Sequence, residues 1–275
     1  MAKAKPKKIY YFGEGKDTSD KWLIKVLKDH FRVTLIKPGQ VKITDNFSYI
    51  INRLYVSAYK RYSEKEINNL LTKIHKLEKR KDICIINSFA GFLLEYDRIK
   101  QYNFFNANRI PYVLTKSLID IRKNKLLKFP IILKNNHSGR NKKLEIVNNF
   151  SDLTKISTSF QKNKVAQEFI DQKICYRTEF INNTLLTFAQ KIHIRNNRLS
   201  FQYVPNLIKT PLSLYRTNRI SSVLNKIGVQ VFSIEYFIIK NNLLIIDFNL
   251  SSNYKSFLIK KKGEIIKKSW LNLLT

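Results

Sequence analysis

The order of apolar segments in the first third of the chain is the feature that most limits its fold. Short apolar runs of strand length lie at residues 8–12, 32–37, 48–51 and 83–86. Between them, residues 18–30 and 63–79 carry apolar side chains at the three- and four-residue spacing of an amphipathic helix. This β-α-β-β-α-β order predicts an α/β unit with a mostly parallel sheet.

The rest of the chain predicts two further sub-domains, one mixed and one rich in strands. Helices are predicted at 92–108, 116–127, 151–161 and 217–227, and strands at 130–134, 143–147, 164–170, 177–181, 185–194, 199–204, 231–239 and 243–248. We therefore expect a mixed fold, α/β and α+β, with sub-domains at 1–92, 93–170 and 171–275.

The charge of the chain raises the question of a nucleic-acid partner. The chain has 275 residues, 44% of them hydrophobic, so it can bury a substantial core, and its formal charge is +31. The charge is spread from Lys3 to Lys268 and accompanies abundant Lys, Ile and Asn, a composition typical of AT-rich coding sequences. We therefore discount the charge as a sign of a nucleic-acid partner, although the positive field attracts anionic substrates such as nucleotides.

Missing motifs exclude several classes of protein. No apolar run reaches the ~18 residues that span a membrane, and we expect no signal peptide, because the basic start lacks an apolar segment. Cys84 and Cys175 form no CxxC pair, and we expect buried free thiols in a reducing cytoplasm. The sequence also lacks GxSxG, HExxH and GxxxxGK[ST], the motifs of nucleophilic, zinc and phosphate-loop chemistry.

Three polar residues interrupt the last predicted hairpin. Glu235 and Asp247 lie on its two strands, 12 positions apart, and Asp247 stands in the otherwise apolar run LLIIDF. Asn249 follows Asp247 by two positions, so both side chains face the same way. Hard oxygen ligands on one sheet face suit Mg²⁺. The sequence therefore predicts a metal site here for Mg²⁺, with Mn²⁺ as the alternative ion.

Five groups of motifs occur along the chain in a fixed order. They are INS at 86–88 with YDR at 96–98 and RIP at 109–111, then FPIILK at 129–134, HSGR at 137–140, VAQEFI at 165–170 with Arg177, and finally the acidic hairpin. In this order the motifs resemble those of the ATP-grasp superfamily, in particular ribosomal-protein glutamate ligases, lysine-biosynthesis ligases and glutathione synthetases. The resemblance covers residues 48–255, which is most of the chain.

This resemblance implies an ATP-grasp fold, in which ATP lies between a small lid sub-domain and a β-rich central sub-domain that follow an N-terminal α/β domain. The residues that it assigns to nucleotide binding are Arg98, Lys100, Lys134, His137, Ser138, Gly139, Arg140, Gln167, Glu168, Phe169 and Ile170. It assigns catalytic roles to Arg177 and Lys191. The sequence departs from the family pattern in having one glycine in the phosphate loop, Gly139, and Asp instead of Glu at Asp247.

The function that the resemblance implies is the ATP-dependent joining of a carboxylate to an amine through an acyl phosphate, with release of ADP and phosphate. The expected substrate is an amino acid or an acidic peptide, and the expected assembly is a homo-oligomer. Three alternatives stay open. They are a kinase or peptide-modifying ligase on the same scaffold, a degenerate ATP-grasp protein that binds nucleotide or an anionic partner without ligation, and a basic RNA-binding protein. The last lacks support, since no interleaved aromatic RNP pattern occurs.

Overall fold

A computed structural model describes residues 7–40, 47–124, 128–137, 144–155, 163–250, 254–255, 258 and 262–274. Its strands form two sheets, one of four strands and one of nine. The mixed fold expected from the sequence is confirmed.

The four-stranded sheet is parallel throughout and lies in the N-terminal part of the chain. Its strands are β1 (Lys8–Phe12), β2 (Arg32–Ile36), β3 (Tyr49–Asn52) and β4 (Cys84–Ile86), in the order β2-β1-β3-β4. Helix α1 (Thr18–Lys28), a 3-10 helix (Val56–Lys60) and helix α2 (Glu64–Leu77) connect them. The predicted β-α-β-β-α-β order is thus observed, with one additional 3-10 turn.

Local sequence explains where the two N-terminal helices begin. Asp17 caps α1 by accepting a hydrogen bond from the backbone of Asp20 at 2.9 Å. Ser63 and Glu66 form a capping box at the start of α2, each bonding to the other's backbone. The apolar face of α2 is buried in the largest apolar core of the structure.

The nine-stranded sheet contains the rest of the strands, and every strand pair in it is antiparallel. Its members are β5 (Thr115–Ser117), β6 (Ile131–Asn135), β7 (Leu144–Val147), β8 (Lys164–Glu168), β9 (Ile174–Ile181), β10 (Thr184–Arg195), β11 (Arg198–Ile208), β12 (Val231–Ile239) and β13 (Asn242–Asn249). The order is β13-β12-β9-β10-β11-β7-β6-β8-β5. The helices of this part are α3 (Phe89–Tyr96), α4 (Arg98–Ala107), α5 (Leu118–Asn124), α6 (Phe150–Lys155), α7 (Leu214–Asn225) and α8 (Gly263–Leu274).

A short segment joins the two ends of this sheet. The Val113 amide donates to the carbonyl of Ile245 on β13 at 2.8 Å, and the Ile245 amide donates to Pro111 at 2.9 Å. Immediately afterwards, the amide of Glu168 on β8 donates to Leu114 at 3.0 Å. Strand β13, at one end of the sheet order, therefore lies close to β6 and β8, which are near the other end of the sheet. Residues from both ends of the sheet can share one site.

Four details of the sequence-based expectations were wrong. The predicted helix at 92–108 is two helices, because Asp97 ends α3 and caps α4. Its carboxylate accepts hydrogen bonds from the backbone amides of Ile99 and Lys100. The start of the helix predicted at 116–127 is strand β5. Helix α8 was not predicted, although it buries Trp270 completely. Cys84 is exposed, whereas Cys175 is buried, and both are free thiols.

None of the described helices is both long enough and apolar enough to span a membrane.

A fully buried ion pair ties α1 to the end of β3. The Nε of Arg53 donates to Oδ1 of Asp20 at 3.0 Å, and neither side chain is exposed. The hydroxyl of Tyr11 donates to the same carboxylate oxygen at 2.6 Å. Burial raises the pKa of Asp20, whereas the Arg53 charge lowers it, so the carboxylate depends on this counter-ion.

Replacing Arg53 by Met should lower the free energy of unfolding by about 3–5 kcal/mol, because Asp20 loses its buried counter-ion. Urea denaturation at pH 7 measures the loss. Lys155→Met is the control, because Lys155 pairs with Asp152 on the surface at 3.3 Å and such pairs contribute less than about 1 kcal/mol. Similar losses in the two variants would contradict the structural role of the buried pair.

Candidate active site

One extra residue on β13 decides which way Asp247 faces. Ile245 pairs with Tyr236 and Asp247 pairs with Glu235, so Ile246 has no partner on β12. Without this β-bulge, regular alternation would turn Asp247 toward the core that holds Ile245. The bulge instead places Asp247 on the opposite face, beside Glu235.

Charged side chains from three neighbouring strands form a row on this face. Arg177 of β9 pairs in register with Glu235 of β12, and Glu235 pairs with Asp247 of β13. Register partners on adjacent strands point to the same side of the sheet. A second row lies next to the first on the same face and consists of Glu179, Ser233 and Asn249. Each of these residues is two positions away, on its own strand, from a member of the first row.

The guanidinium of Arg177 connects the two rows. Its Nε donates to Oε1 of Glu179 at 2.8 Å, and its terminal nitrogens donate to Oε1 of Glu235 at 2.9 Å and to the hydroxyl of Ser233 at 2.8 Å. Burial lowers the pKa of Arg177, but Glu179 and Glu235 raise it well above its ordinary value. Arg177 therefore carries a fixed positive charge on the floor of the site.

A second arginine holds Asp247. Arg98, at the start of α4, donates from its two terminal nitrogens to Oδ1 of Asp247 at 2.5 Å and Oδ2 at 3.3 Å. Its Nε donates to the carbonyl of Asn135 at the end of β6. Burial raises the pKa of Asp247, but the charges of Arg98 and Lys134 lower it below its usual value. Asp247 is therefore ionised at neutral pH.

The carbonyl of the bulge residue, Ile246, contacts strands β6 and β8. Lys134 of β6 is 5% exposed, and its ammonium donates to the carbonyl of Ile246 at 3.3 Å. The side-chain amide of Gln167 on β8 donates to the same carbonyl at 3.2 Å and to the hydroxyl of Thr115 at 3.1 Å. Burial and the nearby Arg98 charge lower the pKa of Lys134 to about 8.

Three residues behind the bulge were not found by sequence analysis. The hydroxyl of Tyr112 donates to Oε1 of Gln101 at 2.9 Å and contacts the Ile246 carbonyl at 3.4 Å. Gln101 donates to the carbonyls of Glu95 at 3.1 Å and Phe248 at 3.3 Å. Burial raises the pKa of Glu95 to about 8, so it is largely protonated at neutral pH. Only an acid in the apolar stretch FLLEY gave a sequence signal for this group.

Apolar clusters flank the polar rows at both ends. Cys175, Phe237, Ile246 and Val113 form a small cluster at one end, and Ile170 packs against it. At the other end a larger cluster joins this sheet to the N-terminal domain, and it includes Phe188, Val231, Tyr254 and Trp270. The site is therefore a band of charge between two dry regions, where electrostatic interactions are strengthened.

The structure brings together seven of the residues selected from the sequence. They are Arg98, Lys134, Gln167, Arg177, Glu235, Asp247 and Asn249. Glu168 ends β8 and Phe169 packs near Ile132 in a neighbouring apolar cluster, while Ile170 reaches the small cluster described above. His137 stacks on Tyr96 with ring centroids 4.3 Å apart and pairs with Asp97 in a β-bridge.

Other selected residues lie away from the charged rows or outside the described residues. Lys191 pairs with Ile174, whereas Phe188, three residues earlier on β10, pairs with Arg177. Strand alternation therefore places Lys191 on the opposite face of the sheet from Arg177, and the geometry gives no support to its catalytic role. The side chain of Lys100 is exposed. Ser138, Gly139 and Arg140 lie outside the described residues.

The residues predicted as metal ligands offer the oxygen donors that Mg²⁺ prefers. Glu235 and Asp247 are 15% and 16% exposed and are already held by Arg177 and Arg98. In the described part of the chain, no group of three or more His, Cys, Asp or Glu side chains could hold a metal ion. Two carboxylates and one amide are the kind of partial donor set with which Mg²⁺ keeps waters and takes phosphate oxygens.

Comparison with solved structures identifies the fold. A RimK-domain ATP-grasp protein from Sphaerobacter thermophilus superposes with a TM-score of 0.65 at 13% identity, over 96% of this chain and 98% of that one. The chain has the ATP-grasp fold. Macrocyclase MdnC from Microcystis aeruginosa, bound to precursor peptide MdnA, has a TM-score of 0.68 at 11% identity, over 97% and 99%. The ATP-grasp ligase PsnB with minimal precursor, Mg and ADP gives 0.64 at 12%, over 95% and 96%.

Sequence comparisons add one relative of this ATP-grasp chain. The uncharacterised protein MG011 of Mycoplasma genitalium is 20% identical over 222 residues, which are 79% of this chain and 76% of that protein. No family model matches the sequence.

The stability contribution of Lys134 should rise with pH. Its folded-state pKa is about 8 against an ordinary value of 10.5, so between these values the unfolded state binds more protons. From pH 7 to about pH 9.5, wild type should gain about 2 kcal/mol relative to Lys134→Met. Urea denaturation of both proteins at both pH values measures this change, with Lys155→Met as a control. A difference that does not vary with pH would contradict the buried position of the ammonium.

Proposed function

We propose that the protein is an ATP-dependent carboxylate–amine ligase that acts through an acyl phosphate and releases ADP and phosphate. The observation that carries the proposal is the charged row of Arg177, Glu235 and Asp247, which lies beside Lys134 on one face of an ATP-grasp sheet. Fixed charges of both signs between two apolar clusters suit phosphoryl transfer, in which the protein mainly positions groups and neutralises charge.

The two cations next to the bulge are the proposed phosphate ligands. Lys134 presents its ammonium on a buried apolar stem, and Arg98 supplies a planar guanidinium from the start of α4. Both now contact groups of β13, so a triphosphate would share or replace the contacts that Asp247 and the Ile246 carbonyl make. The adenine base of ATP would lie toward the apolar cluster that includes Ile170, beyond Gln167.

Glu235, Asp247 and Asn249 are the proposed ligands of Mg²⁺, which when bound would neutralise charge on the phosphate oxygens. Their arrangement on two adjacent strands fixes the two carboxylates side by side on one face of the sheet. Arg177 orients Glu235 from below. Its guanidinium, at the end of this row, is the proposed ligand of the substrate carboxylate and of the acyl phosphate.

The proposed reaction has two steps. An oxygen of the substrate carboxylate attacks the γ-phosphorus of ATP, and the bond to the β-γ bridging oxygen breaks to give ADP and an acyl phosphate. The amine then attacks the acyl carbon, loses a proton and displaces phosphate. No protein nucleophile is needed, in agreement with a site built from ion pairs and amides.

The substrate class is proposed to be an amino acid or an acidic peptide. Two of the structural neighbours reported above are described with a precursor bound, which supports a polypeptide as one of the two reactants. A cytoplasmic location and a homo-oligomer stay predictions.

One observation favours a second candidate, a nucleotide-binding protein that does not ligate. Both carboxylates of the proposed metal site are paired with guanidinium groups, so the charge of the site is already balanced. In such a protein a nucleotide would bind to Arg98 and Lys134 without turnover. Binding without ADP release therefore distinguishes this candidate from the ligase.

The ligase should release ADP from MgATP in the presence of one member of a panel of amino acids and acidic peptides. Asp247→Asn should reduce that rate at least about a hundredfold, since the loss of one well-placed charge costs several kcal/mol in the transition state. A coupled ADP assay followed by mass spectrometry of the product measures both effects. Asp152→Asn, an equal change at a surface position of helix α6, should keep the wild-type rate.

Two results would contradict the proposal. Full turnover by a folded Asp247→Asn variant would remove this residue from the site. A wild-type protein that binds MgATP in a thermal-shift assay but forms no ADP with any member of the panel would favour the non-ligating candidate.

A further inference from the structure

A second pocket, of about 200 Å³, lies where α7 meets the turn before Tyr112 and the start of β13. Its basic lining residues are Arg109, Arg216 and Arg219, and its apolar walls include Ile110, Pro111 and Leu243. None of the lining residues that belong to the described part of the chain is acidic. The pocket therefore combines three guanidinium groups with an apolar wall, and the charged rows of the active site do not contribute to it.

The choice of arginine at this pocket is unusual for this chain. Of the 51 basic residues, 13 are Arg and 38 are Lys. All three basic residues of the pocket are Arg nevertheless. Arginine offers a planar fork of donors that binds a carboxylate or phosphate through two parallel hydrogen bonds, which lysine cannot do. The lining therefore indicates recognition of an oxyanion rather than general positive charge.

Two of these arginines are held in place by neutral oxygens. Arg216 donates to the carbonyl of Asn241 at 2.6 Å, and Arg219 donates to the carbonyl of Asn108 at 3.0 Å. In the described contacts both meet only neutral oxygens, whereas Arg98 and Arg177 each meet a carboxylate. The guanidinium groups are thus oriented in advance, and their charge is not compensated by a described acid.

Large apolar side chains stand exposed beside the pocket. Leu214 and Tyr215, at the start of α7, are 76% and 70% exposed. Tyrosine, arginine and exposed apolar groups are the residues that interfaces with polypeptides concentrate. The side-chain hydroxyl of Tyr215 lies 3.4 Å from Arg219, so the apolar and cationic parts form one surface.

We propose that this surface binds an acidic polypeptide segment, with carboxylates at Arg216 and Arg219 and an apolar side chain on Leu214 and Tyr215. A second copy of the chain is a poor occupant, because both copies carry a formal charge of +31. A nucleic-acid strand is bound along a groove of cations with stacked bases, whereas these arginines converge on one apolar-walled pocket. The acidic polypeptide is therefore the occupant that matches both the charge and the walls.

Fluorescence anisotropy without nucleotide tests this proposal, so its result does not depend on ligase activity. The probe is a fluorescein-labelled peptide that alternates Glu with Leu and Phe, and the same peptide with Gln for Glu is the neutral control. Arg216→Gln combined with Arg219→Gln should weaken binding of the acidic probe at least tenfold. Leu214→Ser should weaken it about threefold, and thermal melts check that the variants fold.

A matched variant separates local recognition from the field of the whole chain. Lys28→Gln combined with Arg32→Gln removes the same charge from exposed positions around β2 and should leave the affinity within about twofold. An equal loss in this variant would overturn the proposal. Equal binding of the neutral peptide, or displacement of the acidic probe by oligouridine at lower concentration than by unlabelled peptide, would overturn it as well.

Discussion

In the β12–β13 hairpin, one residue without a partner turns an acid out of the apolar core and onto the opposite face of the sheet. Regular pairing from Ile245 onward would place Asp247 opposite Ile234 in that core, where a carboxylate would lack a counter-ion. The bulge at Ile246 reverses the alternation for the last three residues of the strand, so that Phe248 enters the core while Asp247 and Asn249 lie on the face of Glu235. It also frees one carbonyl, which Lys134 and Gln167 share.

Charge balance in the site follows from the same arrangement. Arg177 lies among Glu179, Glu235 and Ser233, and Arg98 holds Asp247. Buried charges are costly unless each has a partner, so no single member can be removed without affecting the others. In a chain of charge +31, acids are scarce, and three of them are used here. These acids and arginines balance one another locally, although the chain as a whole is strongly positive.

The N-terminal βα pattern was visible in the sequence because helical and strand periodicities differ over short windows. Glu235, Asp247 and Asn249 were also visible, since each polar residue interrupts an apolar strand. The bulge was not, because strand register depends on pairing with β12 and not on local sequence. The pair Arg98–Asp247 was not visible either, because the two residues are 149 positions apart and meet only in the folded chain. Tyr112 and Gln101 were missed because they contact main-chain carbonyls, which carry no sequence signal. Lys191 was selected by its place in the motif order, but strand alternation on β10 puts it on the opposite face of the sheet from Arg177, and its catalytic role stays a prediction.

The proposed ligase requires Glu235, Asp247 and Asn249 to hold a divalent ion against a triphosphate bound by Lys134. Crystals grown with Mn²⁺ and a non-hydrolysable ATP analogue allow an anomalous difference map to locate the ion directly. We expect a peak within about 2.3 Å of oxygens of Glu235 and Asp247 and of the analogue. An ion that contacts neither carboxylate while the analogue is bound, or an analogue bound away from Lys134, would contradict it.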